Sequence, residues 1–299
     1  MDSSRSDQVG RSARAGEPYL CPRTSAPITV DGVLDESAWV QAAWSPRFGD
    51  MVTGRPGLFD TRAAMLWDDQ ALYVAFRVEE PFLAATMAER DSLLFLENDV
   101  EVFIDGGDWY YELEINALGT VYEVLFVWRD AYAVDSRFAA SGLDALARGA
   151  VSFGGDDERH GATFWTGTHP RGLRWAFRDW DYPGMRCAVA LQGTLNDDSD
   201  IDRGWTVELA FPWSGMAQLP GDRGLPPKPG DRWRIFLGRF QKLELSGREV
   251  SPHPAWTWTR LCAITHATTA PGRRMRTASA TASGPTCPDV NVPAEMLAP

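Results

Sequence analysis

The sequence predicts an all-β protein built as a two-sheet antiparallel β-sandwich. Short segments in which apolar and polar residues alternate recur through the middle of the chain, and Gly, Asp, Asn and Pro separate them. There are about nine or ten such segments, while helix signals are few. Many short strands with frequent turns and little helix are typical of two packed antiparallel sheets.

Two hairpins are the clearest elements. The first spans residues 61–80, where two alternating runs flank residues 68–70. The second joins the runs 98–105 and 110–119 through a Gly-rich turn, and alternation places the apolar residues of both runs on one face. Further strands are predicted at residues 120–128, 186–193, 204–213 and 231–240.

Composition limits the classes of function. The chain has 299 residues, 44% of them hydrophobic, and a formal net charge of -12. It is too apolar to be disordered, and its acidity with scattered basic residues argues against nucleic acid as a partner. It contains no apolar run of about 20 residues, so no membrane span is expected. The start lacks a signal peptide, which predicts a cytoplasmic protein, or an extracellular or periplasmic one if the true start lies upstream.

The pattern also predicts how the chain is divided. Residues 1–18 are polar and are expected to be a disordered lead-in, and residues 19–262 are expected to form the sandwich. Within it, the pattern is weak at about 131–183, which predicts a long excursion from the sheets. Residues 263–299 are rich in Ala, Thr, Arg and Pro without periodicity and are expected to be a disordered tail.

The second hairpin carries the most informative polar residues. Alternation places Glu101 on the face opposite the apolar one, together with Glu112, Glu114 and Asn116 of the next strand. The turn puts Glu101 opposite residues 112–114, with Cβ atoms of direct partners about 4.5–5.5 Å apart. Like charges so placed need hydroxyl donors, a cation or a basic side chain between them. A solvated outer face is the alternative interpretation.

Two other features are candidate sites. Asp198, Asp200 and Asp202 place carboxylates at alternate positions of one loop, which is a pattern that calcium accepts, although a plain solvated turn would look the same. Trp109 stands beside the hairpin turn and is a candidate stacking surface, whereas most other tryptophans occupy apolar positions typical of a core.

Five ordered groups of these residues resemble the family 9 carbohydrate-binding modules over roughly residues 25–258. The resemblance implies a β-sandwich related to the DOMON fold. It also implies that an oligosaccharide or polysaccharide binds between aromatic rings, with carboxylate and amide side chains holding its hydroxyls, that calcium is often bound, and that glycoside hydrolases are partners. The matching groups are residues 31–36 with Trp39, 66–69 with 72–75, 98–105, 110–116, and 204–208 with 212–213.

The resemblance also assigns site residues by position. Glu101 corresponds to the family's ligand-binding glutamate, Asn116 to the asparagine that ends the next strand, and Phe95 to one aromatic wall. The sequence departs from the family in having Phe rather than Trp at this wall. It also has Glu114 where the sugar-binding members carry a basic residue. Exchanging a donor for an acceptor beside Glu101 would change the hydroxyl pattern or the cation that the site accepts.

The predicted function is therefore carbohydrate binding by a non-catalytic module that assists polysaccharide or oligosaccharide breakdown. The first alternative is a glycoside hydrolase that uses Glu101 with Glu112 or Glu114. A shallow position on a strand face, without the apolar burial that raises a pKa, is expected to disfavour it. The second alternative is a haem-binding domain of the DOMON type with His253 as axial ligand.

Overall fold

The protein forms two β-sheets that pack face to face, which confirms the predicted sandwich. A computed structural model describes residues 19–51, 53–134, 137–153, 171–219, 221, 224–251, 253–258 and the backbone of 295–297. Over these residues, all strand pairs are antiparallel except the one that joins the two terminal strands of the chain.

The larger sheet has 10 strands and carries the second predicted hairpin. Its order is β1-β16-β12-β5-β6-β7-β9-β8, and β15 pairs with both β12 and β2. The strands are β1 (Tyr19–Leu20), β2 (Gly49–Asp50), β5 (Asp99–Asp105), β6 (Trp109–Asn116), β7 (Val121–Trp128), β8 (Val151–Phe153), β9 (Arg174–Phe177), β12 (Arg232–Phe240), β15 (Ala255–Thr257) and β16 (Glu295–Leu297).

The smaller sheet has four strands in the order β10-β11-β4-β3. It contains the first predicted hairpin, in which Trp67 pairs with Leu72 across the turn. Its strands are β3 (Thr61–Trp67), β4 (Ala71–Glu79), β10 (Arg186–Gln192) and β11 (Gly204–Pro212), and a separate hairpin joins β13 (Glu244–Leu245) to β14 (Arg248–Glu249).

Helices are short and lie between strands. They are α1 (Ser37–Gln41), a 3₁₀ helix (Leu94–Leu96), α2 (Arg129–Val134), α3 (Arg137–Ala140) and α4 (Trp213–Met216). Among the described residues, no helix has the length and apolar character required to cross a bilayer.

The core lies between the facing sheets. The alternating apolar side chains of β5 and β6 point into it, as predicted, and each is fully buried. They pack against the inward side chains of β4 and β11. The members from these four strands include Val100, Val102, Ile104, Tyr111, Leu113, Ile115, Leu72, Val74, Phe76, Val207, Leu209 and Phe211.

The predicted excursion at 131–183 is partly integrated into the sandwich. The strands β8 and β9 extend the large sheet beyond β7, with Phe126 paired to Ala176. The alternation is hard to see because each of these strands has only three or four residues. Residues 154–170, the lead-in 1–18 and most of the tail lie outside the described residues, but backbone 295–297 pairs with β1 and β12.

Candidate functional site

Three carboxylates meet on the outer face of the β5–β6 hairpin. The register pairs Glu101 directly with Glu114, and the preceding acidic residue of the same face, Asp99, pairs with Asn116. One carboxylate oxygen from each of Asp99, Glu101 and Glu114 lies within 4.8 Å of the other two. We refer to these residues as the carboxylate triad. Gly238 of β12 pairs with Glu101, and a Cβ atom there would lie 2.7 Å from the ring of Phe236 and 3.4 Å from Glu101 Oε2.

Few donors reach the triad. The backbone N–H of Phe240 donates to Asp99 Oδ1 at 3.2 Å, and that of Phe95 donates to Glu114 Oε2 at 2.9 Å. Asp99 Oδ2 is buried and has no hydrogen-bond partner among the described residues. Buried polar atoms usually have a partner, so this oxygen needs an explanation.

The triad is an electrostatically costly arrangement. Burial raises the pKa of Asp99, Glu101 and Glu114 well above the usual range, and repulsion from neighbouring carboxylates raises each further. Burial also raises the pKa of adjacent Glu112 to about 7, although the charge of Arg174 opposes the shift. The four carboxyl groups therefore hold protons more tightly than exposed ones do.

The predicted shallow setting is wrong. Glu101 is 4% exposed and Glu114 is 1% exposed. Alternation identifies the residues that share a face but not what covers that face. Here the segment 86–97 lies over the sheet and buries Leu94 against Tyr122 and Val124 of β7. The argument against a hydrolase that depended on shallow carboxylates therefore fails.

The segment 86–97, which we call the covering segment, carries the exposed ring of Phe95. This side chain is 38% exposed, and its ring meets Tyr122 edge-on with centroids 6.3 Å apart. Glu97 fixes the segment because its carboxylate accepts hydrogen bonds from the backbone N–H and hydroxyl of Thr86. Phe95 therefore presents an apolar surface beside the triad, at the position where the family resemblance implies one aromatic wall.

Asn116 lies on the predicted face at the end of β6, but its amide bonds to the protein itself. Its Nδ2 donates to the carbonyl of Met87 at 2.8 Å and to Glu97 Oε1 at 2.7 Å. Its Oδ1 accepts from the backbone N–H groups of Leu118 and Thr120. These bonds use the donors and the acceptor of the amide, so Asn116 holds the covering segment and its own turn rather than offering a free amide to a ligand.

The prediction that Trp109 is a stacking surface is wrong, because Trp109 is a core residue. It is 5% exposed, and its ring packs against Gly106 of the hairpin turn. A Cβ atom at Gly106 would lie 2.1 Å from Trp109 Cε2. The glycine that signals the turn in the sequence also provides the space that buries the ring, so Trp109 presents no stacking surface.

The acidic loop does not bring its predicted calcium ligands together. Asp202 is 7% exposed, and its carboxylate accepts the backbone N–H groups of Leu83 and Thr194 at 2.9 and 2.7 Å. Asp198 and Asp200 are exposed. Among the described residues, the carboxylates close enough to share one ion are those of the triad. The donor set of this loop therefore does not fit calcium, since its one buried carboxylate serves the backbone.

His253 lies next to the covering segment. Its Nδ1 is 3.3 Å from the carbonyl oxygen of Phe95, and its Nε2 is 2.9 Å from Glu249 Oε1. Both ring nitrogens therefore have protein partners in this arrangement. An axial bond to haem would require one of these contacts to break, so the geometry gives the haem alternative no support.

Asp99 is the site residue that sequence reasoning missed. It lies two residues before Glu101, so period-two alternation alone places it on the same face. The string Asn98-Asp99 resembles a strand start in the sequence, where acidic residues are common. Its neighbour Asn98 does have a structural role, because Nδ2 donates to buried Glu80 and Oδ1 accepts from the backbone N–H of Lys242.

Glu208, another acidic residue of the family-like motifs, holds parts of the fold together and is architectural in this sense. Glu208 of β11 accepts hydrogen bonds from the backbone N–H groups of Asp31 and Gly32 and from the indole N–H of Trp39. Gly32 has a φ of 86° and lies so close to Val189 that a Cβ atom would be 2.6 Å from its carbonyl carbon. The motif at residues 31–39 thus fastens the N-terminal segment to the outer face of the small sheet.

These features define a β-sandwich with a candidate ligand site on one sheet face, where buried carboxylates adjoin an exposed ring. Residues 30–136, which contain the whole β5–β6 hairpin, match the model of the family described as carbohydrate family 9 binding domain-like. The predicted resemblance to a family of carbohydrate-binding domains is thereby confirmed for this segment.

Two solved structures are similar to the chain, and both are of a family 9 carbohydrate-binding module from Caldicellulosiruptor kristjanssonii. The complex with cellotriose is 14% identical, covers 85% of this chain and 99% of that chain, and has a TM-score of 0.42. The complex with glucose is also 14% identical, with coverages of 80% and 85% and a TM-score of 0.42. No curated protein matches the chain significantly.

Proposed function

We propose that the protein binds carbohydrate without catalysing its breakdown, at the surface formed by Phe95 and the carboxylate triad. The observation that carries this proposal is the direct link between the two parts. The backbone N–H of Phe95 donates to Glu114, so the exposed ring and the buried acceptors are held side by side. Sugar sites combine an apolar platform with a few polar groups that fix the hydroxyls.

The surroundings of Phe95 support the same interpretation. Leu93 is 38% exposed and Leu96 is 47% exposed, so the covering segment presents apolar side chains on both sides of the ring. The family match includes all of these residues. Sugar rings carry apolar C–H faces, which such a surface would contact, and hydroxyls, for which Glu101 and Glu114 offer acceptors.

Calorimetric titration of the full chain tests the proposal. The panel contains glucose and cellotriose, which are the ligands named for the two similar structures, together with galacto-, manno- and xylo-oligosaccharides. We expect saturable binding of one sugar class. Phe95→Ala should weaken it by about tenfold, since the stacking contact is lost.

Phe82→Ala is the matched control. Phe82 is 53% exposed but lies in the loop that follows β4, so its removal should leave affinity unchanged. The absence of saturable binding by every sugar would contradict the proposal. Equal losses from the two substitutions would contradict the placement of the site at Phe95.

The burial of Glu101 and Glu114 supports the glycoside-hydrolase alternative, because two carboxyl groups with raised pKa lie opposite each other. A retaining hydrolase, however, needs one ionised nucleophile and one protonated acid, and here burial raises the pKa of both groups. Release of reducing sugar that disappears in Glu101→Gln would establish this alternative. The family resemblance further leads us to expect that the protein acts beside glycoside hydrolases on the same polysaccharide.

A further inference from the structure

The negative charge of the carboxylate triad is not explained by contacts with a sugar alone. Three carboxylate oxygens lie within 4.8 Å of one another. Among the residues that the structure describes, no Lys, Arg or His forms an ion pair with Asp99, Glu101 or Glu114. Like charges at this separation in a buried site repel strongly unless a proton or a cation lies between them.

Asp99 gives an independent indication of a ligand. The residue is 1% exposed, and while Oδ1 accepts the N–H of Phe240, Oδ2 has no partner among the described residues. An unpaired buried carboxylate oxygen is costly. The carboxylate that carries it is one of the three that converge, so the missing partner belongs at the point of convergence.

Two positive charges act on carboxyl groups of this region, and both are held by other groups. Arg239 lowers the pKa of Asp99, but its guanidinium donates to Thr61 Oγ1 and pairs with Glu80. Arg174 lowers the pKa of Glu112, but its guanidinium carbon lies 4.7 Å from the ring centroid of Phe153 and 5.4 Å from that of Phe126. These rings hold the cation over β7 to β9, away from Asp99 at the start of β5. Within the described part of the chain, neither cation forms an ion pair with a carboxylate of the triad.

We propose that the carboxylate triad binds a hard divalent cation, with Ca²⁺ as the preferred ion. Every ligand atom is a carboxylate oxygen, which suits calcium and not the softer transition metals. Calcium binds oxygen at about 2.3–2.6 Å, so two oxygens on opposite sides of one ion are about 5 Å apart. The separation in the triad fits this geometry. The remaining coordination positions would take water or a hydroxyl of a bound ligand.

The cation inference does not depend on the carbohydrate proposal. Calcium binding is measured with the metal alone, and sugar binding is measured in calcium and in chelator. Sugar binding without calcium binding would overturn the cation inference only, and calcium binding without sugar binding would overturn the carbohydrate proposal only.

The experiment is calorimetric titration of Ca²⁺ into the full chain after chelator treatment and dialysis. We expect one ion per chain and a rise in the thermal unfolding midpoint, because the ion binds only the folded arrangement. Glu101→Gln keeps the shape of the side chain but removes one charge, and it should weaken calcium binding by about tenfold or more. Titration with Mg²⁺ should give weaker binding, since magnesium requires shorter and more regular coordination.

Two further variants make the outcome decisive. Asp99→Asn retains the acceptor for the Phe240 N–H and should weaken binding as Glu101→Gln does, which guards against misfolding of either variant. The control is Asp198→Asn with Asp200→Asn, which removes two exposed charges from the acidic loop and should leave binding unchanged. No binding at millimolar calcium, or a loss in the control alone, would overturn the inference.

Discussion

Glu208 and Glu101 are both buried glutamates on the outer faces of the two sheets, but their surroundings are opposite. Glu208 accepts three hydrogen bonds, from two backbone N–H groups and one indole. Glu101 has no hydrogen-bond donor among the described residues and lies beside two further carboxylates. The first glutamate completes the fold, whereas the second is left with a charge that the fold does not neutralise.

Architectural and functional acidic residues differ here in the hydrogen-bond donors that surround them. Both glutamates belong to the family-like motifs, and burial raises the pKa of both. Neither the motif nor the burial distinguishes them. The number of hydrogen-bond donors does distinguish them. A buried carboxylate with a full set of donors needs no ligand, while one without donors needs a proton or a ligand.

The largest effect expected from this comparison is on stability, at Glu208. Glu208→Ala leaves the N–H groups of Asp31, Gly32 and Trp39 without their acceptor, at about 1–3 kcal/mol for each. We expect the free energy of unfolding in urea to fall by about 3 kcal/mol or more. Glu249→Ala, at an exposed glutamate of β14, is the control and should change it little; an equal loss in both would contradict the architectural role.

The second prediction applies one substitution to both regions. In chelator, Glu101→Gln should raise the free energy of unfolding by about 1 kcal/mol, because it removes a charge that burial and repulsion destabilise. Glu208→Gln should lower it, because its new NH₂ group competes with the donors around it. Chemical unfolding of both variants gives the sign, and equal signs would remove the distinction between the two regions.

The smallest stability effect is expected at Phe95. Because the ring is exposed, Phe95→Ala should change the free energy of unfolding by about 0.5 kcal/mol or less. Leu94→Ala, one residue earlier in the same 3₁₀ helix, removes a fully buried side chain and should cost about 2–5 kcal/mol. Thermal unfolding measures both changes. A large loss at Phe95 would mean that its ring supports the fold rather than a ligand surface.

Alternation predicted the parts of the fold in which strands are long. The two hairpins and the inward faces of β5 and β6 follow from period two and from the turn residues between the runs. The short strands β8 and β9 were missed because three or four residues carry too little periodicity. Their place in the sheet depends on pairing with β7, which is a contact between distant parts of the chain.

The candidate site was predicted in part, and the misses have a common cause. The opposition of Glu101 and Glu114 follows from the turn register. Local sequence does not show what else a polar side chain contacts. The amide of Asn116 bonds to Glu97 of the segment 86–97, and the ring of Trp109 fills the space above Gly106. Both contacts depend on tertiary packing.

The register of the β5–β6 hairpin limits how this region can change. Side chains alternate between the core and the outer face, so a single residue inserted before Val100 that shifted the register of the rest of β5 would exchange the two sets. Val100, Val102 and Ile104 would then face outward and carboxylates would enter the core. A substitution at Asp99 or Glu101 therefore changes the outer face alone, whereas a shift of register in β5 changes the outer face and the core together.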